Sequence, residues 1–352
     1  MKSVAVSAII IATAVAAIAG MANGSTAPAR VAPNRSPSEG LSLHAVVVRS
    51  GLQRSLTSED TVVLDDHVAG VYALRNTLLY GRYEDHGGSL WPATDRRWMR
   101  VVGGQRRRVH GIPQGATPFS IGLDRAGRVV VVLGRPDLGG TQVSRWWLYD
   151  VVRDVARRLK IPTRSGCVIR SVAIWRDRMA YQEDCRPNVS HVVLSHERRN
   201  TRLMKIRVPI GPVRIALRHQ SLAVVEGYGG ETWGNVWRVL DRGQRCPRLL
   251  AGVDDELGIW AGVGSNTLTW LTGHYDFDGM TFSGLDVRHI DLSGRCASTP
   301  TVRHTPAALL PQTPINANGP GGDGTPSAGV AIDGRTVYYA TDTGIYRLRL
   351  PA

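Results

Sequence analysis

The chain alternates short apolar runs with brief polar or glycine breaks, and six segments repeat one shape. Each segment has a β-rich run, a break of two to four residues and a second β-rich run, which is the pattern of a β-hairpin. The segments are GVYALRNTLLYG (70–81), FSIGLDRAGRVVVVLG (119–134), SVAIWRDRMAYQ (171–182), VRIALRHQSLAVVEG (213–227), GIWAGVGSNTLTWLTG (258–273) and GVAIDGRTVYYAT (329–341). Four of the five spacings between their breaks are roughly 40–50 residues, the length of one four-stranded sheet in a repeat array, and the fifth is longer because residues 301–325 are inserted. The pattern predicts an all-β protein built from repeated small sheets.

A third β-rich run follows every hairpin except the first. The third runs are RWWLYDVV (145–152), HVVLSHE (191–197), NVWRVLD (235–241), DVRHIDL (286–292) and GIYRLRL (344–350). Two units add a fourth run, ARRLKIP (156–162) and RLMKIRVP (202–209). Residues 150–160 also fit one face of a helix, but the repeat favours strand, turn and strand. The stretch 301–325 is dense in Pro and Gly and is expected to be a loop.

Units of this kind resemble the blades of β-propeller families, most nearly those with TolB-like or WD40-like repeats. The likeness is carried by LDRAGRVVVVLG (123–134), AIDGRTVYYAT (331–341) and WWLYDVV (146–152), which are similar to the family pattern of strand, Asp-Gly turn, strand, then a strand ending in Asp. The resemblance implies about six four-stranded blades around a central channel, with ligands bound at the channel mouth. Seven blades are the alternative, with residues 41–66 forming most of the extra one.

The last unit has only three predicted strands, which leaves its outer edge unpaired. Unpaired strand edges promote aggregation, so proteins usually cover them. A segment from the other end of the chain, 41–50 or 60–66, can supply the missing strand. We therefore expect the propeller to be closed by an N-terminal strand.

The first residues have the composition of an export signal. Lys2 precedes an uncharged apolar run, Ala5 to Ala19, which is short for a membrane span of about 20 residues. We expect a signal peptide over residues 1–19, a flexible linker over 20–40 and the propeller domain over 41–352. An uncleaved anchor is the alternative for the first segment. No later run is long enough to span a bilayer, so the mature chain is expected to be secreted or in the cell envelope, outside the cytoplasm.

Four cysteines in an exported chain predict two disulfides. Cys167 and Cys185 lie at equal distances on either side of Arg176. In a hairpin that turns there, the two cysteines face each other across the ladder, within the range that a disulfide tolerates. This leaves Cys246 and Cys296, which occupy equivalent positions in neighbouring repeats and bond only if those repeats approach closely.

The formal charge is +14, and all but three of the 43 Lys and Arg residues are Arg. A basic surface can meet anionic polymers, although scattered arginines are also simply solvated cations. The compact cluster Arg106–Arg108 stands between glycines and is expected to be an exposed turn. No nucleic-acid-binding motif accompanies the charge. The expected partner is an unidentified protein or an anionic polymer of the cell envelope.

Polar residues that follow the second strand of three hairpins form the candidate ligand site, because equivalent loops of a propeller share one face. The candidate ligand-binding residues are Glu84, His86, Glu226, Trp233 and His274. Asp276 and Asp278 are candidate metal ligands, since they alternate with His274 along an extended segment and Ca²⁺ favours oxygen ligands. No distal carboxylate completes a calcium loop, so we expect no cofactor, with calcium as the alternative. Solvated polar loops are the simpler interpretation of all these residues.

The chain contains no G-x-S-x-G, Walker A, H-E-x-x-H or C-x-x-C motif. The leading hypothesis is therefore an exported, non-catalytic propeller that acts as a binding or interaction module. The alternative is a propeller hydrolase or lyase with a carboxylate and histidine site, with or without calcium, at the channel mouth, and it rests on fold analogy alone. A purely electrostatic binder of nucleic acid or wall polymer is a third hypothesis, for which binding should fall steeply with salt.

Overall fold

The computed structural model of the chain describes residues 61–64, 68–82, 97–136, 143–186, 189–206, 213–227, 234–251, 257–276, 281–296, 302–306, 330–341 and 344–350. All of them lie in the compact unit Val48–Ala352. A second unit, Met1–Val47, lies outside the described residues, as do the predicted signal peptide and linker. Within the described part of the chain, no helix has the length and apolar character needed to cross a membrane.

The described strands form antiparallel units of four, which we number in chain order. The first strand, β1 (Thr61–Leu64), belongs to the sixth unit. The first unit comprises β2 (Val68–Leu74), β3 (Thr77–Arg82), β4 (Arg97–Val102) and β5 (Gln105–Arg108). The second unit comprises β6 (Thr117–Leu123), β7 (Val129–Pro136), β8 (Val143–Asp150) and β9 (Val155–Arg158). The third comprises β10 (Val168–Trp175), β11 (Arg178–Arg186), β12 (Val189–His196) and β13 (Arg199–Ile206).

The later units repeat this arrangement. The fourth unit comprises β14 (Arg214–Arg218), β15 (Ser221–Gly227), β16 (Gly234–Asp241) and β17 (Gln244–Ala251). The fifth comprises β18 (Leu257–Val263), β19 (Thr267–Asp276), β20 (Thr281–Asp291) and β21 (Arg303–Pro306). The sixth comprises β22 (Val330–Asp333), β23 (Thr336–Thr341) and β24 (Gly344–Arg349), together with β1. The prediction of an all-β chain of antiparallel sheets is confirmed, and each of the six predicted hairpins forms.

Within each unit, strands that follow one another in the chain pair side by side, and in the sixth unit β24 also pairs with β1. The first strands of the units contact one another, and we call them the inner strands. The inner strands β6 and β10 meet in parallel at one pair, Leu123 and Trp175. In chain order each inner strand contacts the next, from β2 through β6, β10, β14 and β18 to β22, and β22 also contacts β2. The first strands of all six units are therefore neighbours of one another.

The two ends of the described chain share one sheet. β1 pairs antiparallel with β24, with Val63 opposite Ile345. Val63 is buried and packs in a cluster that includes Ile345 and Tyr338. The segment 60–66 thus supplies the outer strand that the last unit lacks, while the other candidate, 41–50, lies outside the described residues.

Apolar side chains on both faces of the inner strand pairs form the core. The run Val129–Leu133 in β7 is buried at every position, which a strand covered on both faces requires. Burying a side chain of this kind stabilises a fold by about 1.5–3 kcal/mol. Where inner strands touch, glycine is needed: a Cβ on Gly122 would lie 1.9 Å from the carbonyl oxygen of Ile174, and one on Gly262 would lie 2.5 Å from that of Ile332.

Three expectations about individual segments need correction. The first unit does have third and fourth strands, β4 and β5, and Arg106–Arg108 lies in β5 as an exposed edge strand rather than in a turn. The turn is Gly103–Gly104, which directly precedes it. Part of the predicted loop 301–325 is β21, which pairs with β20. By contrast, residues 150–160 are strand, turn and strand, as the repeat predicts.

Both predicted disulfides are present. Cys167 bonds Cys185, and the β10–β11 register, with Val168 opposite Asp184, brings the two cysteines face to face. Cys246 bonds Cys296 across 50 residues, which fastens the fourth unit to the segment after β20. The neighbouring repeats therefore approach closely enough for the second bond.

Candidate functional site

The described residues include only part of the ligand site expected from the sequence. Four candidates lie outside them: Glu84, His86, Trp233 and Asp278. The backbone of His274 and Asp276 lies in β19, where it pairs with Ser283 and Thr281 of β20. Convergence of these residues on a ligand or a calcium ion stays a prediction.

Glu226 lies within β15 and is buried, with 1% of its surface exposed. Its Oε2 accepts a hydrogen bond of 3.0 Å from Nε1 of Trp237 in the adjacent strand β16. A buried carboxylate bonded in this way holds two strands together. The sequence had placed Glu226 with the loop that follows β15, and the structure corrects that placement; a role in ligand binding stays a prediction.

A narrow cavity lies between the inner strands of all six units, where the resemblance places a central channel. Its volume is about 60 Å³, which admits a few water molecules but no substrate. Large side chains occupy the space, among them Trp175, Arg218 and Trp260. The guanidinium of Arg214 lies 4.7 Å from the ring centre of Trp260, a cation–π contact that fills one side of the cavity.

One end of this central cavity is crossed by an ion pair between Arg218 of β14 and Asp333 of β22. The Arg218 guanidinium also lies 5.1 Å from the ring centre of Trp175 in β10. The backbone N–H of Arg75, in the β2–β3 turn, donates to the same Asp333 carboxylate at 2.9 Å. Four units are therefore tied together at the end where their hairpin turns lie.

A larger cavity of about 400 Å³ opens beside Trp175, and we call it the turn groove. Its lining comes from the turns β10–β11, β14–β15, β16–β17 and β18–β19: Trp175, Arg176, Asp177, Arg178, His219, Gln220, Ser221, Arg242 and Ser265. This volume lies in the range of small-molecule sites. The groove is thus built by four hairpins that are distant in sequence.

Three residues of the turn groove have a left-handed backbone conformation. The φ angles of Arg176, His219 and Arg242 are 58°, 52° and 46°. Each is the first residue of its two-residue turn. The conformation costs a residue with a Cβ about 1–2 kcal/mol, and Gly and Asn adopt it more easily. Long cationic and aromatic side chains therefore stand at positions where the backbone alone favours other residues.

The turn groove is cationic. Within the part of the chain that the structure describes, Arg176, Arg178 and Arg242 form no ion pair. The one carboxylate of the lining, Asp177, is engaged by His196 Nε2 at 2.9 Å from its Oδ2. Burial raises the pKa of Asp177, but a backbone hydrogen bond, His196 and the nearby Arg178 outweigh burial, so the pKa lies below its ordinary value. Asp177 is therefore ionised near pH 7 and already has a partner.

The His219 ring packs beside Trp175, with 5.1 Å between ring centres. The pKa of His219 lies below its ordinary value, because partial burial disfavours the charged ring and the nearby Arg218 and Arg176 repel a further positive charge. His219 is therefore neutral near pH 7 and offers one N–H donor and one acceptor. The arginines remain the cations of the groove.

This arrangement can bind an anion. A guanidinium group presents a planar set of N–H donors that suits carboxylate and phosphate oxygens. Gln220 and Ser265 add uncharged hydrogen-bonding groups to the same lining. The turn groove therefore combines positive charge, polar donors and a space of ligand size.

This groove is not among the sites predicted from the sequence, although its turns are. The hairpin breaks at Asp177, His219 and Ser265 occupy equivalent positions in three repeats. Equivalent turns of a repeat array share a face, and this is the signal in the sequence that indicates the groove. The predicted site used the same reasoning for a different set of loops, those after the second strands.

No family model and no curated protein matches the chain. Solved structures that are similar to it include a prolyl endopeptidase (15% identity, 88% of this chain and 45% of that one, TM-score 0.41). TolB from Acinetobacter baumannii is similar at 12% identity, over 81% of this chain and 63% of that one, with a TM-score of 0.40. The acylaminoacyl peptidase from Pyrococcus horikoshii is similar at 8% identity, over 82% and 45%, with a TM-score of 0.40. The chain spans about half to two thirds of the length of these proteins, and the values do not identify a family.

Proposed function

We propose that the chain is an exported, non-catalytic β-propeller that acts as a binding module. The six four-stranded units are its blades, and the pairing of β1 with β24 closes the ring. The contacts between successive inner strands, including β22 with β2, support this arrangement. The two disulfides support an oxidising compartment outside the cytoplasm.

The observation that carries the binding function is the turn groove. Arg176, Arg178 and Arg242 line one cavity, and the one carboxylate of that lining, Asp177, contacts His196. The whole chain has a formal net charge of +14, which attracts anionic partners over long distances. The proposed partner is an anionic polymer of the cell envelope, and a protein with an acidic surface is the other outcome of the test.

The proposal is tested by binding of the purified full chain to immobilised polyphosphate, polyglutamate and neutral dextran. We expect binding to an anionic polymer but not to dextran, and binding that weakens steeply between roughly 50 and 500 mM salt. The recovered polymer should keep its length. Failure to bind either anionic polymer at low salt would contradict the proposed partner, and shortening of the polymer would contradict the non-catalytic role.

A further inference from the structure

We infer that the turn groove is a binding site for a phosphate group, an inference that rests on the binding function proposed above and names the chemistry of its ligand. The groove is separate from the central cavity, where Arg218 is already paired with Asp333. None of the candidate ligand residues named from the sequence is among its lining residues. The inference depends on the charge and the hydrogen-bond donors of the groove.

The charge of the groove matches phosphate better than carboxylate. Arg176 and Arg178 stand on either side of Asp177 in the β10–β11 hairpin, and Arg242 comes from the β16–β17 turn. Asp177 is ionised and its pKa is lowered partly by Arg178, but one carboxylate against three guanidinium groups leaves the lining with a surplus of positive charge. A phosphate monoester carries about −1.5 to −2 charges and three strong acceptor oxygens at pH 7. A carboxylate offers one charge and two oxygens, and so satisfies fewer of these donors.

The other donors of the groove fit the same ligand. The backbone N–H of Arg242 bonds the Ser221 hydroxyl at 3.0 Å, which fixes the turn that carries the arginine. The Arg242 guanidinium donates a hydrogen bond of 3.0 Å to Asn266 Oδ1. Because this amide is neutral, the contact does not compensate the positive charge of Arg242. His219, neutral near pH 7, and Gln220 provide hydrogen bonds without adding charge. A tetrahedral group with several oxygens can use donors that arrive from separate hairpins.

The backbone of the groove allows a sharp test of these residues. Arg176 and Arg242 adopt left-handed conformations that Asn tolerates better. The same conformation occurs outside the groove, at Arg75, Glu197 and Arg198, so it does not itself mark a site. Replacing either arginine with Asn should therefore preserve or raise thermal stability while removing phosphate binding. A purely structural role for the arginines predicts lower stability instead.

The test is calorimetric titration of the full chain with inorganic phosphate, at low ionic strength, with acetate as the comparison anion. Arg176→Asn and Arg242→Asn remove one groove cation each. Arg198→Asn is the matched control, because Arg198 also has a left-handed backbone, with φ of 65°, in a hairpin turn outside the groove lining. Thermal melts of all three variants accompany the titrations.

We expect phosphate to bind and acetate to bind at least about tenfold more weakly. Each groove variant should lose about tenfold in phosphate affinity, the effect of removing one charge-assisted hydrogen bond. The Arg198→Asn variant should bind like the original chain, and no groove variant should melt at a lower temperature. Absence of phosphate binding, equal binding of acetate, or groove variants that bind phosphate as the control does would overturn the inference.

Competition with phosphorylated dextran, a polymer that carries phosphate monoesters, distinguishes the source of the phosphate. If inorganic phosphate displaces the bound polymer, the phosphates of the polymer occupy the groove. If the polymer stays bound at saturating phosphate, the ligand of the groove is free phosphate. Both outcomes support the inference. Phosphate binding without any polymer binding would retain the inference and overturn the proposed partner. If the chain binds the polymer equally well in both groove variants and does not bind phosphate, the inference is overturned and the proposed partner is retained.

Discussion

Removal of the Asp241 carboxylate should destabilise the fold strongly. Arg238 of β16 is 1% exposed and Asp241, at the end of the same strand, is fully buried. Nη1 of Arg238 lies 3.2 Å from Oδ2 of Asp241. The other carboxylate oxygen accepts the backbone N–H of Gly294 at 3.0 Å, which connects the fourth unit to the segment after β20. Asp241→Ala leaves the arginine buried without its counterion.

The magnitude follows from the burial of the pair. Burial lowers the pKa of Arg238, and the Asp241 carboxylate acts in the opposite direction. Breaking a buried ion pair by removing one partner costs about 3–5 kcal/mol, because the remaining charge has no compensation. An exposed pair gives the comparison: Asp291 is about half exposed and contacts Arg335 at 3.0 Å, so Asp291→Ala should cost less than about 1 kcal/mol.

The assay is urea unfolding of Asp241→Ala, Asp291→Ala and the double variant Arg238→Met/Asp241→Leu. The double variant removes both charges and keeps the volume, so it should cost about 1 kcal/mol, the contribution of the lost hydrogen bond from Gly294. A loss of less than about 1 kcal/mol in Asp241→Ala would refute the reasoning. So would a double variant that is as unstable as the single one.

Three further predictions concern stability. The pKa of His289 lies below its ordinary value because burial and, to a smaller extent, two nearby arginines disfavour the charged ring. The folded state therefore binds fewer protons than the unfolded chain, and the free energy of unfolding in urea should fall as the pH drops below about 6.5. Gly122→Ala should lower the melting temperature markedly, since the added Cβ would meet the Ile174 carbonyl oxygen at 1.9 Å. Cys246→Ser/Cys296→Ser should cost about 4 kcal/mol in urea unfolding for a closed loop of this length, and an unchanged value would contradict the disulfide.

The repeat pattern was sufficient to predict the hairpins, because alternation and turn chemistry are local properties of the chain. One strand of the first unit, β5, was missed for the same reason. Arg106–Arg108 in β5 are exposed at every position, so no apolar alternation marks them as a strand. Their pairing with β4 comes from tertiary structure, which overrides local composition.

The candidate site could be predicted less well than the fold. Arg176, His219 and Arg242 look like ordinary polar turn residues in the sequence, and only the packing of separate units brings them to one cavity. Glu226 is the converse case. Its position near a loop suggested a role in ligand binding, whereas in the structure its carboxylate is buried and accepts a hydrogen bond from Trp237. A single sequence gives no distance between turns of different repeats, and the groove depends on those distances.

The pairing of β1 with β24 joins the first and last described strands and is the contact on which the proposed closed ring depends. The most direct test is a Val63→Cys/Ile345→Cys variant, because directly opposed strand positions lie about 4.5–5.5 Å apart at Cα, within the range of a disulfide. Val63→Cys/Arg349→Cys is the control, with the second cysteine four residues further along β24, about 13 Å away. Peptide mapping without reductant should show the 63–345 disulfide in the first variant and free thiols in the second. Free thiols at both positions of the first variant would contradict the closed ring.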